Sequence, residues 1–129
     1  MATNAHIGYI ENNKITYTYL HHDGYPSHVG RVLYEEYNDI NTIKELIELG
    51  YLESIDSDEV IAFHRDKGYN FDNVKPERVN DLNEFTTCEF NYLFDVKSKR
   101  WTFFTNLGEF DLEREYNNNF IPKIQSMLW

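Results

Sequence analysis

HIGYIENNKITYTYLH, residues 6–21, decides how this chain is read. Ile7, Tyr9, Ile15, Tyr17 and Tyr19 alternate with smaller or polar residues on both sides of a short polar break. Successive strand side chains point to opposite faces, so a period of two marks a half-buried strand. β-branched and aromatic residues suit such a surface. The spacing predicts two strands, 6–12 and 15–21, joined at Asn13-Lys14 as a hairpin.

The same pattern returns late in the chain. Phe90, Tyr92 and Phe94 alternate with Asn91, Leu93 and Asp95, and WTFFT at 101–105 answers them across Lys97-Ser98-Lys99-Arg100. This predicts a second hairpin. Its aromatics, Tyr92, Phe94, Trp101, Phe103 and Phe104, read as sheet core rather than as a stacking platform, because large rings dominate cores. Between the hairpins the period becomes helical. Val29, Val32, Leu33 and Tyr37 come after Ser27, a candidate cap. Ile43, Leu46, Ile47 and Leu49 come after Asp39 and Asn41, and Gly50 sits where a left-handed stop belongs. Val60 to Phe63 predicts a short strand. Residues 69–87 are polar, contain Pro76 and read mostly as loop, with room for a short helix near Leu82 to Phe85. Glu109 to Tyr116 is charged and ambiguous, and Pro122, Ile124 and Leu128 predict a last helix. The expected fold is α+β: an antiparallel sheet of about five strands, covered on one face by two central helices, with a C-terminal helical tail.

At 129 residues the chain fits a single domain, 1–129. Lys and Arg number 12 against 22 Asp and Glu, a net charge of −10. Such a charge repels phosphate backbones, so direct nucleic-acid or anionic-membrane binding is not expected. It can instead present carboxylates where a nucleic-acid-binding protein expects phosphates; the plainer reading is that it aids solubility. Cys88 is the only cysteine, so no internal disulfide forms, in keeping with a reducing cytosol. No signal-like segment and no membrane-length apolar run is present, and the expected location is the cytoplasm.

Two polar clusters carry the candidate site. The first is HHDGYPSHVG, residues 21–30. Asp23-Gly24 is a turn signal, Tyr25-Pro26 stiffens the chain after it, and Gly24 permits a positive φ or a close backbone approach. The stretch runs into a helix start near Ser27 to Val29, where free N–H groups favour an anion. His21, His22 and His28 are nearby donors and Arg31 lies one turn on. The alternative is that Asp23 and Ser27 satisfy the turn while the histidines pack. The second cluster is HRDKG at 64–68, placed at the end of the predicted strand 60–63. Arg65 offers a bidentate fork to an anion; the alternative is that it pairs with a neighbouring acid. His21, Asp23, His28, His64 and Asp66 are suitable metal ligands by type, but their spacing matches no metal motif, and no metal or cofactor is expected. No catalytic template is complete, so catalytic residues stay unknown.

The two clusters together carry a resemblance. YLHHDGYPSHVGRVLYEEY, IKELIELGYLESI, AFHRDKG and YLFDVKSKRW resemble a family of small proteins encoded by phages, prophages and bacterial accessory genomes. Its members read His-x-Asp-Gly-Tyr-Pro-x-x-x-Gly, then His-Arg-Asp-Arg-Gly, then a terminal Tyr-x-Phe…Trp hairpin. His21, Asp23, Gly24, Tyr25, Pro26 and Gly30 fit the first motif. His64, Arg65, Asp66 and Gly68 fit the second, with Lys67 where Arg is commoner. The match spans residue 7 to about 104, which would make 1–106 a family-like core and 107–129 an extension. The start MATNAHIG departs from the family's Gly-Thr-Arg-Ser-type opening. The resemblance implies a phage or mobile-element origin and a shared pocket of His21, Asp23, Tyr25, His28, Arg31, His64, Arg65 and Asp66. It implies no reaction.

Three functions stand as expectations. The first is a phage-encoded stoichiometric inhibitor of a host defence or nucleic-acid-processing protein. It would act through the acids Glu35, Glu36, Glu53, Asp56, Asp58, Glu59, Glu109, Asp111 and Glu113. The second is a binder of a nucleotide or nucleotide-derived signal at 21–31 and 64–68. The third is a small phosphoesterase-type hydrolase. A dimer is compatible with each.

Overall fold

The first hairpin forms one residue out of the expected frame. In the computed structural model, which describes residues 3–120, β1 runs Ala5–Glu11 and β2 Lys14–Leu20. They pair antiparallel from Ala5 opposite Leu20 to Glu11 opposite Lys14. The turn is Asn12-Asn13, with φ of 54° and 65°. Two left-handed residues give the twist a two-residue hairpin needs, and asparagine tolerates that region better than lysine.

A π-helical turn comes next at Pro26–Gly30, then α1 (Arg31–Glu36) and α2 (Ile40–Glu48). After these come β3 (Leu52–Ile55), β4 (Val60–Ala62), α3 (Phe63–Lys67), α4 (Phe71–Val74), β5 (Glu77–Val79) and α5 (Leu82–Phe85). The chain continues through β6 (Phe90–Asp95), β7 (Arg100–Thr105), β8 (Gly108–Asp111) and α6 (Leu112–Asn117). α2 starts as expected: Asp39 accepts the Thr42 N–H at 3.3 Å. Gly50 stops it at φ 82°, where a Cβ would lie 2.3 Å from the Val74 carbonyl oxygen. No described helix is long and apolar enough to cross a membrane.

The fold is α+β, but the sheet corrects the expectation of five antiparallel strands. Among the described residues it is an eight-stranded mixed sheet, in the order β4-β3-β2-β1-β6-β7-β8, with β5 also paired to β2. The two hairpins join through β1 and β6, which run parallel. β2 and β3 also run parallel, at the Leu20–Leu52 bridge. Parallel neighbours need a crossover, and the helices between the hairpins supply it across one face. Ala5, Ile7, Tyr9, Phe90, Tyr92, Phe94, Trp101 and Phe103 meet Val29, Leu33, Ile43 and Ile47 there, all buried in one cluster. Four of the five hairpin aromatics are thus core, while Phe104 is half-buried on the other face.

The predicted loop 69–87 is corrected in part. The short helix expected near Leu82 to Phe85 forms as α5, but α4 and β5 come before it, and together they fold back across the outer face and lay Phe85 beside Ile15, Tyr17 and Leu93. Asn70 and Asp81 cap the two short helices. α4 and β5 are too short for a period to register. The tail is integrated rather than appended up to Phe120: β8 extends the sheet beside β7, Asp111 caps α6, and Leu112 and Phe120 enter the main core. The helix predicted from Pro122 lies outside the described residues.

Candidate functional site

The 21–30 stretch is held by backbone first. His21 N–H donates to the Leu52 carbonyl at 2.9 Å and His22 N–H to the Glu53 carbonyl at 3.0 Å, extending the contact of β2 with β3. Asp23 turns the chain at φ 57°. Gly24 is then pressed against β1, where a Cβ would come within 2.7 Å of the Ala5 Cβ. Its N–H donates to the Thr3 carbonyl at 2.9 Å, and its carbonyl accepts the buried Tyr92 hydroxyl at 2.8 Å. Asp-Gly is therefore structural. The close approach requires Gly24, while the positive φ falls on Asp23.

The expected Ser27 cap does not form. Pro26 opens the π-helical turn with Tyr25 in the cap position and no side-chain cap bond. The N–H groups of His28 and Val29 both donate to the Tyr25 carbonyl, at 3.0 and 3.1 Å, so they are not left for an anion. Tyr25 lays its ring 5.8 Å from that of His28. His28 Nε2 reaches the Ile55 carbonyl at 3.1 Å and Asp56 at 3.0 Å, tying the turn to the β3–β4 hairpin. Arg31 places its guanidinium 5.4 Å from the Tyr116 ring and 5.3 Å from the Phe120 ring, toward the tail and away from residues 21–25.

HRDKG follows strand β4 (Val60–Ala62) as expected, but His64 to Lys67 are helical, in α3, which Gly68 closes at φ 76°. Asp66 accepts the Ala62 N–H at 2.8 Å and the Arg65 guanidinium at 2.9 Å, and Arg65 also donates to the Val60 carbonyl. The Arg65 hydrogen bonds, helped by the Ala62 N–H, hold the Asp66 carboxyl below its usual range. His64 donates to the Tyr69 carbonyl at 2.8 Å and packs on Phe71. The side-chain bonds and ring contacts of His64 and Arg65 thus stay within residues 60–71. Of the expected pocket of His21, Asp23, Tyr25, His28, Arg31, His64, Arg65 and Asp66, His28 bonds to Ile55 and Asp56 and Arg31 lies over the Tyr116 and Phe120 rings, while His64, Arg65 and Asp66 bond within residues 60–71.

The two segments meet elsewhere. Lys67 pairs with Glu53 at 2.6 Å, and His22 reaches the same carboxylate at 3.3 Å. The Lys67 hydrogen bond, with the charges of His22 and His21, keeps Glu53 below its ordinary range. The His21 ring lies 6.3 Å from Phe63. From there a row of rings crosses the outer face of the sheet. Phe63 lies 5.0 Å from Tyr69 and 6.3 Å from Tyr51, Tyr51 is 5.3 Å from Tyr19, Tyr19 is 6.3 Å from His6, and His6 is 4.6 Å from Tyr17. The Tyr19 hydroxyl shares a 3.0 Å hydrogen bond with His21 Nδ1. The strand register explains the row: His6 lies opposite Tyr19, and Tyr17 opposite Glu77 of β5.

The row is buried at its Phe85 end and opens toward Tyr69, with Tyr19, Tyr51 and Phe63 half-buried. Burial raises the Tyr17 phenol to about 12, with Glu77 adding, and the same two causes raise Tyr51. Burial pushes the nearby Cys88 thiol up to about 11, so Cys88 packs as a neutral group. Burial also lowers His6, whose Nδ1 donates to the Phe85 carbonyl at 2.8 Å. The reading of separate motifs missed this row. Its signal was present in the spacing of Tyr17, Tyr19 and His21, which places all three on one strand face.

The nine predicted surface acids divide. Glu35, Glu36, Asp58, Glu59 and Glu109 are exposed. Asp56 is exposed beside His28, and Glu35 also accepts the Tyr116 hydroxyl. Glu53, Asp111 and Glu113 have cationic partners: Lys67 holds the first, and Arg100 holds the others at 2.8 and 3.2 Å. These three are thus engaged within the chain. Tyr34 donates to Glu113 at 3.0 Å, so the end of α1 and the β8–α6 corner form one surface. Among the described residues no group of three or more His, Cys, Asp or Glu side chains is arranged to hold a metal ion. Comparison with protein-family models, with curated proteins and with solved structures gave no match.

Proposed function

We propose that this protein acts by binding, as a stoichiometric inhibitor of a nucleic-acid-binding or defence protein of a bacterial host. The phage-type motifs of residues 21–30 and 64–68 underlie the proposed origin, a phage or mobile element, and the proposed place of action, the host cytoplasm. The observation that supports binding to a basic protein is the state of the cations. Arg65 is engaged by Asp66, Lys67 by Glu53, Arg100 by Asp111 and Glu113, and Arg31 by two rings. A phosphate ligand would have to displace these partners. Exposed acids at the β3–β4 turn and the end of α1 face solvent instead, within a net charge of −10. Opposite charge steers a basic partner and repels nucleic acid.

The test is competition. A partner captured from a bacterial lysate at about 50 mM salt is purified, and its nucleic-acid binding is titrated with this protein. Displacement of the nucleic acid at one-to-one stoichiometry is expected, with affinity falling steeply toward about 500 mM salt. Binding indifferent to salt, or binding without displacement, refutes the reading.

A further inference from the structure

We propose that the row of rings on the outer face of the sheet seats a guanidinium side chain of a basic protein partner, stacked on Tyr51 and Tyr19 beside the carboxylate of Glu77. This rests on the reading of the partner as a basic protein and names where one of its arginines sits.

The chain already contains half of the arrangement. Lys67 lies 6.0 Å above the Phe63 ring while its ammonium pairs with Glu53. A cation over an aromatic face with a carboxylate behind it is therefore stable at one end of the row. The other end has the same parts without the cation. Glu77 is exposed, accepts a hydrogen bond from the Tyr17 hydroxyl across the β2–β5 ladder, and forms no ion pair among the described residues. Its charge reaches Tyr17, Tyr51 and His6. Tyr19 and Tyr51 are half-buried, and Tyr69 beyond Phe63 is 51% exposed.

Planar guanidinium stacks on rings and is weakly hydrated, so it suits this surface better than ammonium. Single-stranded nucleic acid also stacks on aromatic rows, but such sites pair the rings with a positive groove, and here Lys67 is neutralised by Glu53 while Glu77 lies in no ion pair among the described residues. Charge complementarity thus selects a cationic protein segment.

The probe is the peptide Ac-(Gly-Arg)4-NH2, titrated into the whole chain at low salt while backbone amide shifts are tracked by NMR. Shifts are expected at Tyr19, Tyr51 and Phe63. Tyr51→Leu, which keeps bulk without the ring, should weaken binding about five- to tenfold, while Tyr51→Phe should stay within about twofold. Glu77 is exposed and glutamine keeps an oxygen for the Tyr17 hydroxyl, so Glu77→Gln carries the test if Tyr51→Leu is unstable; it too should weaken the peptide several-fold. Asp58→Asn with Glu59→Gln separates the two claims. If that pair abolishes binding while Tyr51→Leu and Glu77→Gln leave it unchanged, the acidic-surface reading stands and this seat is wrong. If the wild-type chain fails to bind the peptide, or binds the oligonucleotide dT15 more tightly, the seat is overturned outright.

Discussion

Replacing Tyr92 by Phe removes one oxygen from the middle of the molecule. The Tyr92 side chain is fully buried, and its hydroxyl donates to the Gly24 carbonyl at 2.8 Å. The ring packs 5.7 Å from Phe103 and would keep that contact. The loss is the partner of a carbonyl in a buried residue. Gly24 is packed so closely against Ala5 and the Thr3 carbonyl that a Cβ would not fit, and its N–H is held by Thr3, so the carbonyl has little freedom to find another donor. Leaving one buried polar group unsatisfied costs about 1–3 kcal/mol. For a chain of this length the unfolding entropy is about 0.27 kcal/mol per degree near the midpoint, so Tm should fall by about 4–11 °C. Urea titration and thermal unfolding both read this. The Gly24 amide should also exchange faster, since its bond to Thr3 is part of the same clasp.

The same substitution has a signature in alkali. Burial holds the Tyr92 phenol well above 10. Above pH 10 the unfolded chain loses this proton while the folded chain keeps it, so stability is complete below pH 10 and falls as pH rises beyond it. Phenylalanine does not titrate. The stability gap between wild type and Tyr92→Phe should therefore narrow above pH 10. A loss below about 0.3 kcal/mol at neutral pH, or a gap that widens in alkali, refutes the clasp between β6 and the 21–30 stretch.

His6 works at the opposite end of the scale. Burial lowers its pKa below 6.5, so its contribution is present above pH 6.5 and is lost as pH falls through the lowered value. Urea midpoints between about pH 7 and about pH 5 should fall for wild type and flatten for His6→Phe; equal slopes in the two proteins contradict the assignment. Thr18 is 1% exposed and its hydroxyl has no partner among the described residues. The isosteric Thr18→Val should raise stability by about 1 kcal/mol in urea unfolding, and destabilisation would mean that the hydroxyl is satisfied after all.

The parts of the fold that were legible in sequence are those decided within about twenty residues. Alternation placed both hairpins, and the Asp39 cap with the Gly50 stop bounded α2 on physical grounds that need only local chain. The parallel pairing of β1 with β6 was not legible, because nothing in either strand's pattern says which edge it meets. β3 hid for a different reason. Its sequence, LESI, leads at once into the acidic turn 56–59, and a four-residue strand offers two alternations at most. HRDKG left two readings open because its charge pattern is indifferent to backbone state. The structure bears out the alternative that Arg65 pairs with a neighbouring acid, Asp66, as the two close their own turn.

The same distinction bears on function. The residues that stand out by identity in HHDGYPSHVG and HRDKG mostly do internal work: Gly24 packs, Asp23 turns, His28 ties two loops, and Asp66 anchors α3. The surface proposed for a partner is built from residues that stand out less, tyrosines at every second position and acids without cations. In the proposed complex these two components would act on different steps of binding. Long-range charge from Glu35, Glu36, Asp58 and Glu59 would govern the approach of a basic protein and be screened by salt. The rings of Tyr19 and Tyr51 would act only at contact, where they would govern how long the complex lasts. Neutralising the hairpin acids should therefore slow association and leave dissociation nearly unchanged, while loss of the Tyr51 ring should do the reverse. A partner whose association and dissociation both tracked the acids alone would leave the aromatic row as an ordinary sheet face.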